Sequence, residues 1–251
     1  MEGKIPNIIH FCWFGGEAKP SLVNQYIQSW KRYFPTYEIR EWNDSHLHLI
    51  DFPYVQQAYQ SKKYAFVSDV FRLYALKNYG GIYLDTDVEV FKSFDSFLHL
   101  NFFCSLENYH GKINPATAVL GAQKNNIIVS DLLDEYKNAV FIQDGKPLLY
   151  PNTLRLARYL TKKYKIEFTS DKETILLGED GTIFPSDFFI HQAQNSYACH
   201  HFHGSWLPEE HTKMETIFCV KNRYTDAGKI KEKYIIIFGK KIVLQRKSID
   251  V

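Results

Sequence analysis

The sequence predicts an α/β fold, on two observations. Strand-type and helix-type hydrophobic spacing alternate through its first half, the pattern of a sheet whose ligands sit at the carboxyl ends of the strands. The chain has 251 residues, 45% hydrophobic and 23% charged, enough for one sizeable domain with its own core.

The elements follow in order. Ile5 to Trp13 reads as a short buried strand closed by Gly15-Gly16. Pro20 to Tyr33 has helical spacing, with Leu22, Tyr26, Ile27 and Trp30 on one side. Tyr37 to Trp42 is a second strand, ending in the turn-type cluster Asn43-Asp44-Ser45. Tyr64 to Asn78 is the strongest helix, and Gly80-Gly81 supplies its stop. Gly81 to Phe91 is expected as one continuous strand, followed by shorter strands at Phe102–Leu106 and Thr117–Leu120. Helices are expected at Asn126–Asn138 and Thr153–Tyr164, and Phe184 to Trp206 reads as aromatic, His-rich and irregular.

Composition narrows the function. A net charge of +2 gives no reason to expect nucleic-acid binding. An aromatic share of 16% fits a deep core plus a site for flat or ring-shaped ligands. The four cysteines, Cys12, Cys104, Cys199 and Cys219, form no CxxC pair, which suits a reducing compartment. With no signal-type N-terminus and no apolar run long enough to span a bilayer, a cytoplasmic protein is expected. Phosphate-loop, GxGxxG, GxSxG and HExxH motifs are absent.

The chemistry concentrates in Asp85-Thr86-Asp87. On a continuous strand Tyr83, Asp85, Asp87 and Glu89 would share one face, and Ile82, Leu84, Val88 and Val90 the other. Two carboxylates roughly 7 Å apart on one face can hold a hard divalent cation, although exposed strands often alternate acids to no purpose. The preceding helix is apolar almost all round, the mark of a buried helix, yet it carries Ser68, Asp69 and Arg72 within a ~100° arc. An i,i+3 ion pair is the plainer reading of Asp69 and Arg72; the better one is a polar pocket in which Arg72 holds a sugar or phosphate oxygen and Asp69 accepts from sugar hydroxyls. The run Cys199-His200-His201-Phe202-His203-Gly204-Ser205-Trp206 offers one imidazole ligand, with His201 and His203 sharing a face if extended.

Three blocks together resemble the DXD-containing glycosyltransferases of family 32, which include bacterial capsular and exopolysaccharide sugar transferases; similarity to the glucosyltransferase domains of large clostridial toxins is more distant. The blocks are Ile5 to Gly16, Ser68-Asp69 through Asp87, and the His-rich run ending in Ser205-Trp206. The resemblance implies a GT-A fold, a Rossmann-like mixed sheet flanked by helices, with Mn²⁺ or Mg²⁺ and a nucleotide-sugar donor. It implies that Trp13 stacks on the base, Cys12 adds backbone contacts, and Tyr83 belongs to the nucleotide-sugar site. Asp69 and Arg72 would hold the donor sugar, and Asp85 the sugar or ribose. Asp87 would ligate the metal with His201, or alternatively His203, while Ser205 and Trp206 close over the diphosphate. Asn152 matches a polar position near the acceptor.

The expected function is transfer of a hexose from a nucleotide-diphosphate sugar, UDP-galactose or UDP-glucose preferred and GDP-mannose open, with retained configuration, to a glycan acceptor in bacterial capsular or surface polysaccharide synthesis. A lipid-linked acceptor is expected. A toxin-like enzyme that modifies protein, and a non-catalytic nucleotide-sugar or carbohydrate-binding domain, are the alternatives. Residues 1–220 are expected to form the catalytic domain and 221–251 a basic extension. That extension has nine Lys/Arg against Asp226, Glu232 and Asp250 around the apolar Tyr234–Phe238. It reads either as a membrane-surface contact at the inner face of the cell membrane or as a packed final strand with a hairpin around Gly239-Lys240.

Overall fold

The computed structural model describes residues 5–109 and 111–202, and the backbone of three strands at 219–224, 230–237 and 240–246. Its elements are β1 (Ile8–Cys12), α1 (Ser21–Tyr33), β2 (Glu38–Trp42), α2 (Pro53–Gln60), α3 (Tyr64–Tyr79), β3 (Gly81–Leu84), β4 (Val88–Val90), β5 (Phe102–Tyr109), β6 (Lys112–Pro115) and β7 (Val119–Ala122). There follow α4 (Ile127–Lys137), a small hairpin of β8 (Ile142–Gln143) and β9 (Lys146–Pro147), α5 (Asn152–Tyr164), β10 (Ile175–Leu176), β11 (Thr182–Phe184), α6 (Ser186–Phe189) and β12 (Ala198–His200). The last three strands are β13 (Cys219–Tyr224), β14 (Ile230–Ile237) and β15 (Lys240–Arg246).

The central sheet runs β10-β11-β5-β7-β3-β1-β2, with β6 paired to β5. Strands β2, β1, β3, β5 and β11 point one way, because β1 pairs in parallel with β2 and β3, and β11 with β5. Strand β7 runs against both β3 and β5. Helices cover both faces, and the period-2 alternation of the strands sorts the side chains between them. Tyr83, Phe102 and Cys104 join the core with Phe66, Val70 and Leu132 of α3 and α4. Ile82, Leu84 and Phe103 join the opposite core with Trp30 of α1 and Phe189 of α6.

Helix α3 is buried on nearly every side, including Asp69 and Arg72. It ends on Gly80, and Gly81 enters β3 at φ +107, where a Cβ would lie 2.6 Å from the carbonyl oxygen of Ile8. Only glycine lets β3 lie this close to β1 at its first residue.

Several expectations are corrected. The strand expected over Gly81–Phe91 is two strands, because Asp85 donates its N–H to the Ala118 oxygen and accepts the Val88 N–H, turning the chain between β3 and β4. Asp85 and Asp87 therefore lie in a turn rather than at alternate positions of one strand. Strand β4 leaves the main sheet and pairs antiparallel with β12, which lies in the segment read as irregular. In α1 the buried side is Val23, Tyr26, Ile27 and Trp30, while Leu22 is exposed. The strand expected at Thr117–Leu120 sits two residues later, at Val119–Ala122.

The C-terminal strands form an antiparallel sheet ordered β13-β14-β15, with Ile237 opposite Lys240. Strands β14 and β15 lie on either side of the hairpin expected around Gly239-Lys240, of which Phe238 and Gly239 lie outside the described residues. No helix among the described residues is long and apolar enough to cross a membrane.

Candidate active site

Arg72 organises the site from the buried helix. Its Nη2 lies 3.1 Å from Asp69 Oδ1 and 3.1 Å from Asp85 Oδ1. Its Nη1 donates to the Thr117 carbonyl at 2.7 Å, and its guanidinium sits 4.6 Å over the Tyr83 ring. The i,i+3 ion pair is present, and the same guanidinium joins α3 to the end of β3. A planar fork with five donors can do this; a point charge cannot.

Each acid is held from a second side. Asp69 is buried and takes the N–H of Asn152, the first residue of α5, on Oδ2 at 3.0 Å. The Asn152 amide returns a hydrogen bond to the Asp69 carbonyl, and Tyr136 donates to the Asn152 side-chain oxygen. Burial raises the Asp69 carboxyl to about 6 against the pull of Arg72. Tyr83 donates its phenol to Asp85 Oδ1 at 3.0 Å, so this buried ring supports the acid from beneath. Burial also raises Asp85 despite Arg72, and the neighbouring Asp87 adds to the rise.

Asp87 faces His200 of β12, with Nε2 3.2 Å from Oδ1. Burial opposes a charge on this imidazole, but Asp87, Asp85 and Glu107 together outweigh it and hold the ring above its ordinary value. His200 Nδ1 is buried with no hydrogen-bond partner among the described residues. Asp85, Asp87 and His200 can present three ligand atoms within 4.8 Å of one another, the one such set among the described residues. Two carboxylates and an imidazole suit a divalent ion such as Mn²⁺.

The histidine register differs from the one expected. His201 donates its backbone N–H to the Asp87 oxygen, turns its ring to Glu89 at 3.1 Å and stacks on Tyr26 with centroids 4.8 Å apart. Pairing of β12 with β4 sets His200 opposite Val88, which brings His200 rather than His201 to Asp87. His203, Ser205 and Trp206 lie outside the described residues.

At the end of β1, Trp13 is half-exposed beside a cleft of about 280 Å³ that Lys19, Glu41, Asn43 and Asp44 also line. Its indole donates to the Glu17 carbonyl, and Lys19 pairs with Glu41 at 2.7 Å. Asp44 accepts the Gly15 N–H at 3.0 Å and so fixes the loop after Trp13. The Cys12 side chain is buried, its thiol pushed up to about 12 by burial. Only its backbone is therefore suited to a ligand.

Two participants were not anticipated from sequence. One is the Thr117 carbonyl that receives Arg72; the other is Glu107, half-buried on β5, which burial raises to about 7 while His200 pulls it down and Asp85 pushes it up. Neither carries a motif.

Residues 20–103 match the family model described as glycosyltransferase sugar-binding region containing DXD motif. An uncharacterized glycosyltransferase of Acanthamoeba polyphaga mimivirus is 26% identical over 234 residues, 88% of this chain and 90% of that protein. A toxin of Yersinia ruckeri is 38% identical over 87 residues, 33% of this chain but 4% of the toxin. Among solved structures, the PaToxG glycosyltransferase superposes with a TM-score of 0.51 at 22% identity, over 64% of this chain and 70% of that one. The mixed sheet flanked by helices is the GT-A fold expected, and the resemblance to DXD glycosyltransferases holds over the segment that contains Asp69, Arg72, Asp85 and Asp87.

Proposed function

From a chain that carries the sugar-binding region of the DXD glycosyltransferases, we propose a metal-dependent hexosyltransferase acting on a nucleotide-diphosphate sugar. The observation that carries the proposal is the convergence of Asp85, Asp87 and His200 within 4.8 Å at the end of β3, beside Arg72. The surrounding charge favours a cation: Asp69, Asp85, Asp87 and Glu107 stand against Arg72 and His200. Asp87 and His200 would hold Mn²⁺ or Mg²⁺, with Asp85 turned to the ion, the sugar or the ribose. Bound there, such an ion neutralises a departing diphosphate without proton transfer.

The chain's own residues do the rest. Trp13 offers a ring face for the base at the mouth of the cleft, and with the resemblance it supports UDP-galactose or UDP-glucose as donor. Arg72 places fixed positive charge beside the phosphate that leaves and needs no reorganisation, since four partners already hold it. Asp69 orients Arg72 and accepts from a sugar hydroxyl. The reaction proposed is front-face displacement with retention, in which the departing phosphate oxygen takes the acceptor proton. Trapping a covalent glycosyl–enzyme adduct would sink this mechanism. The acceptor is a glycan of a bacterial capsule or surface polysaccharide, lipid-linked and met at the inner face of the membrane. The match to part of a toxin favours a second reading, glycosylation of a protein.

The test is donor hydrolysis and transfer over a panel of nucleotide sugars, with and without Mn²⁺, for wild type and Asp87→Ala. Turnover that requires Mn²⁺ and drops at least 100-fold in Asp87→Ala is expected. A wild type that turns over nothing in the panel refutes the enzyme reading.

A further inference from the structure

We propose that Glu107 is a sugar-contacting residue, its carboxyl taking a hydroxyl of one of the two sugars in the reacting complex. The inference rests on the transferase reading above and adds a residue that no motif contains.

Position comes first. Glu107 stands near the end of β5, opposite Asn114 of β6, in a strand that ends on the same side of the sheet as β3. Its side chain lies on the face opposite Leu106, which belongs to the core with α3. The charges acting on it are those of His200 and Asp85. Glu107 therefore stands on β5 within electrostatic reach of Asp85 and His200, while Arg72 meets Asp85 from α3.

The second observation concerns what it lacks. Among the described residues the Glu107 carboxyl has no hydrogen-bond or ion-pair partner, although Asp69, Asp85 and Asp87 each have one. Nearby, the Ser105 hydroxyl, two residues back on the same face, and His200 Nδ1 are buried with no hydrogen-bond partner among the described residues. A half-buried carboxyl among other acids is costly unless something polar meets it. Glu107 is not in the set of groups close enough to share one ion, so an ion at Asp85, Asp87 and His200 leaves its carboxyl free. A carboxylate accepts hydrogen bonds from hydroxyls. In a pocket for two sugars, hydroxyls are the abundant partner.

The hydroxyl belongs to the transferred sugar or to the acceptor, and two rates separate the sources. Glu107→Ala is expected to lower transfer about 10- to 100-fold, with Glu107→Gln recovering part of the loss, because an amide still hydrogen-bonds a hydroxyl. If donor hydrolysis falls in step with transfer, the hydroxyl is the donor's; if hydrolysis is kept while transfer falls, it is the acceptor's. UDP and Mn²⁺ affinities should stay within twofold of wild type. The melting temperature should hold or rise, since an unpaired acid has been removed from among its own kind.

Three results overturn the proposal. Transfer by Glu107→Ala at the wild-type rate removes the contact. Loss of Mn²⁺ affinity would make Glu107 a metal ligand instead. A melting temperature that falls in both variants would make its role structural. A wild type without turnover takes the transferase reading and this one down together; an active wild type matched by Glu107→Ala takes down this one alone.

Discussion

Acidification from pH 7 to pH 4 should weaken this fold by about 3 kcal/mol through His10 alone. His10 is fully buried, and both ring nitrogens are committed. Trp42 Nε1 approaches Nδ1 at 3.2 Å, and an indole N–H only donates, so Nδ1 must be the acceptor. Nε2 then carries the hydrogen and donates to the Gly80 carbonyl at 2.8 Å. A second proton on Nδ1 would set two N–H groups head to head. Burial is the main reason that the ring falls from 6.5 to about 4, with Arg40 adding to the fall and the Gly80 carbonyl opposing it. At about 1.4 kcal/mol per unit, the difference is worth about 3 kcal/mol. A depressed native value leaves stability complete above the unfolded value of 6.5 and erodes it as the pH falls towards 4. Urea unfolding of wild type and His10→Gln at pH 7 and pH 4 tests the account, because the other titrations cancel in the difference. Wild type should lose about 3 kcal/mol more than the variant between the two pH values. Parallel losses, or an imidazole resonance of His10 that titrates near 6.5, would refute the reasoning.

Two further perturbations probe the site's scaffold. Arg72→Lys cannot reach Asp69, Asp85 and the Thr117 carbonyl at once; a loss of about 2–4 kcal/mol in denaturant unfolding is expected, with donor turnover lowered on the order of 100-fold. Gly121→Ala drives a Cβ to 2.0 Å from the Phe103 ring between β3 and β5, and calorimetry should show a loss of about 1–3 kcal/mol or more, part of which Phe103→Leu restores in the double variant.

The sequence was most informative where local pattern and burial agree. Helix α3 was legible because its apolar residues leave no polar face, so Asp69 and Arg72 stood out as charges that need a purpose. Alternation separated Ile82 and Leu84 from Tyr83, as found, although Tyr83 joins a second core rather than an open acidic face. The break after Leu84 was not legible, because it depends on a hydrogen bond from Asp85 to Ala118, more than thirty residues away. The same limit hid His200. Three imidazoles in four residues are equivalent until β12 finds β4, and no local signal fixes that pairing. Glu107 was hidden for a related reason: one acid at a strand end looks like any solvated residue until the sheet brings β3 alongside β7 and β5. Helix α2 opens with Pro53, a good first-turn signal that the aromatic residues around it obscured.

The β4–β12 ribbon acts on the site as a vernier. It contains three residue pairs, and the identity of the imidazole beside Asp87 is decided by nothing except their register. A slip of one residue would exchange His200 for His201 and turn every side chain of β12 to the other face. Short ribbons slip easily, and this one is pinned along its length. Trp30 donates its indole to the Val88 oxygen, Ser29 accepts the Val90 N–H, and the Tyr197 carbonyl receives the N–H groups of Phe91 and Lys92. The ion pair of His201 with Glu89 and its stacking on Tyr26 hold the unused imidazole in place. Helix α1, whose own side chains stay behind the ribbon, thereby selects which of two adjacent histidines faces the acids.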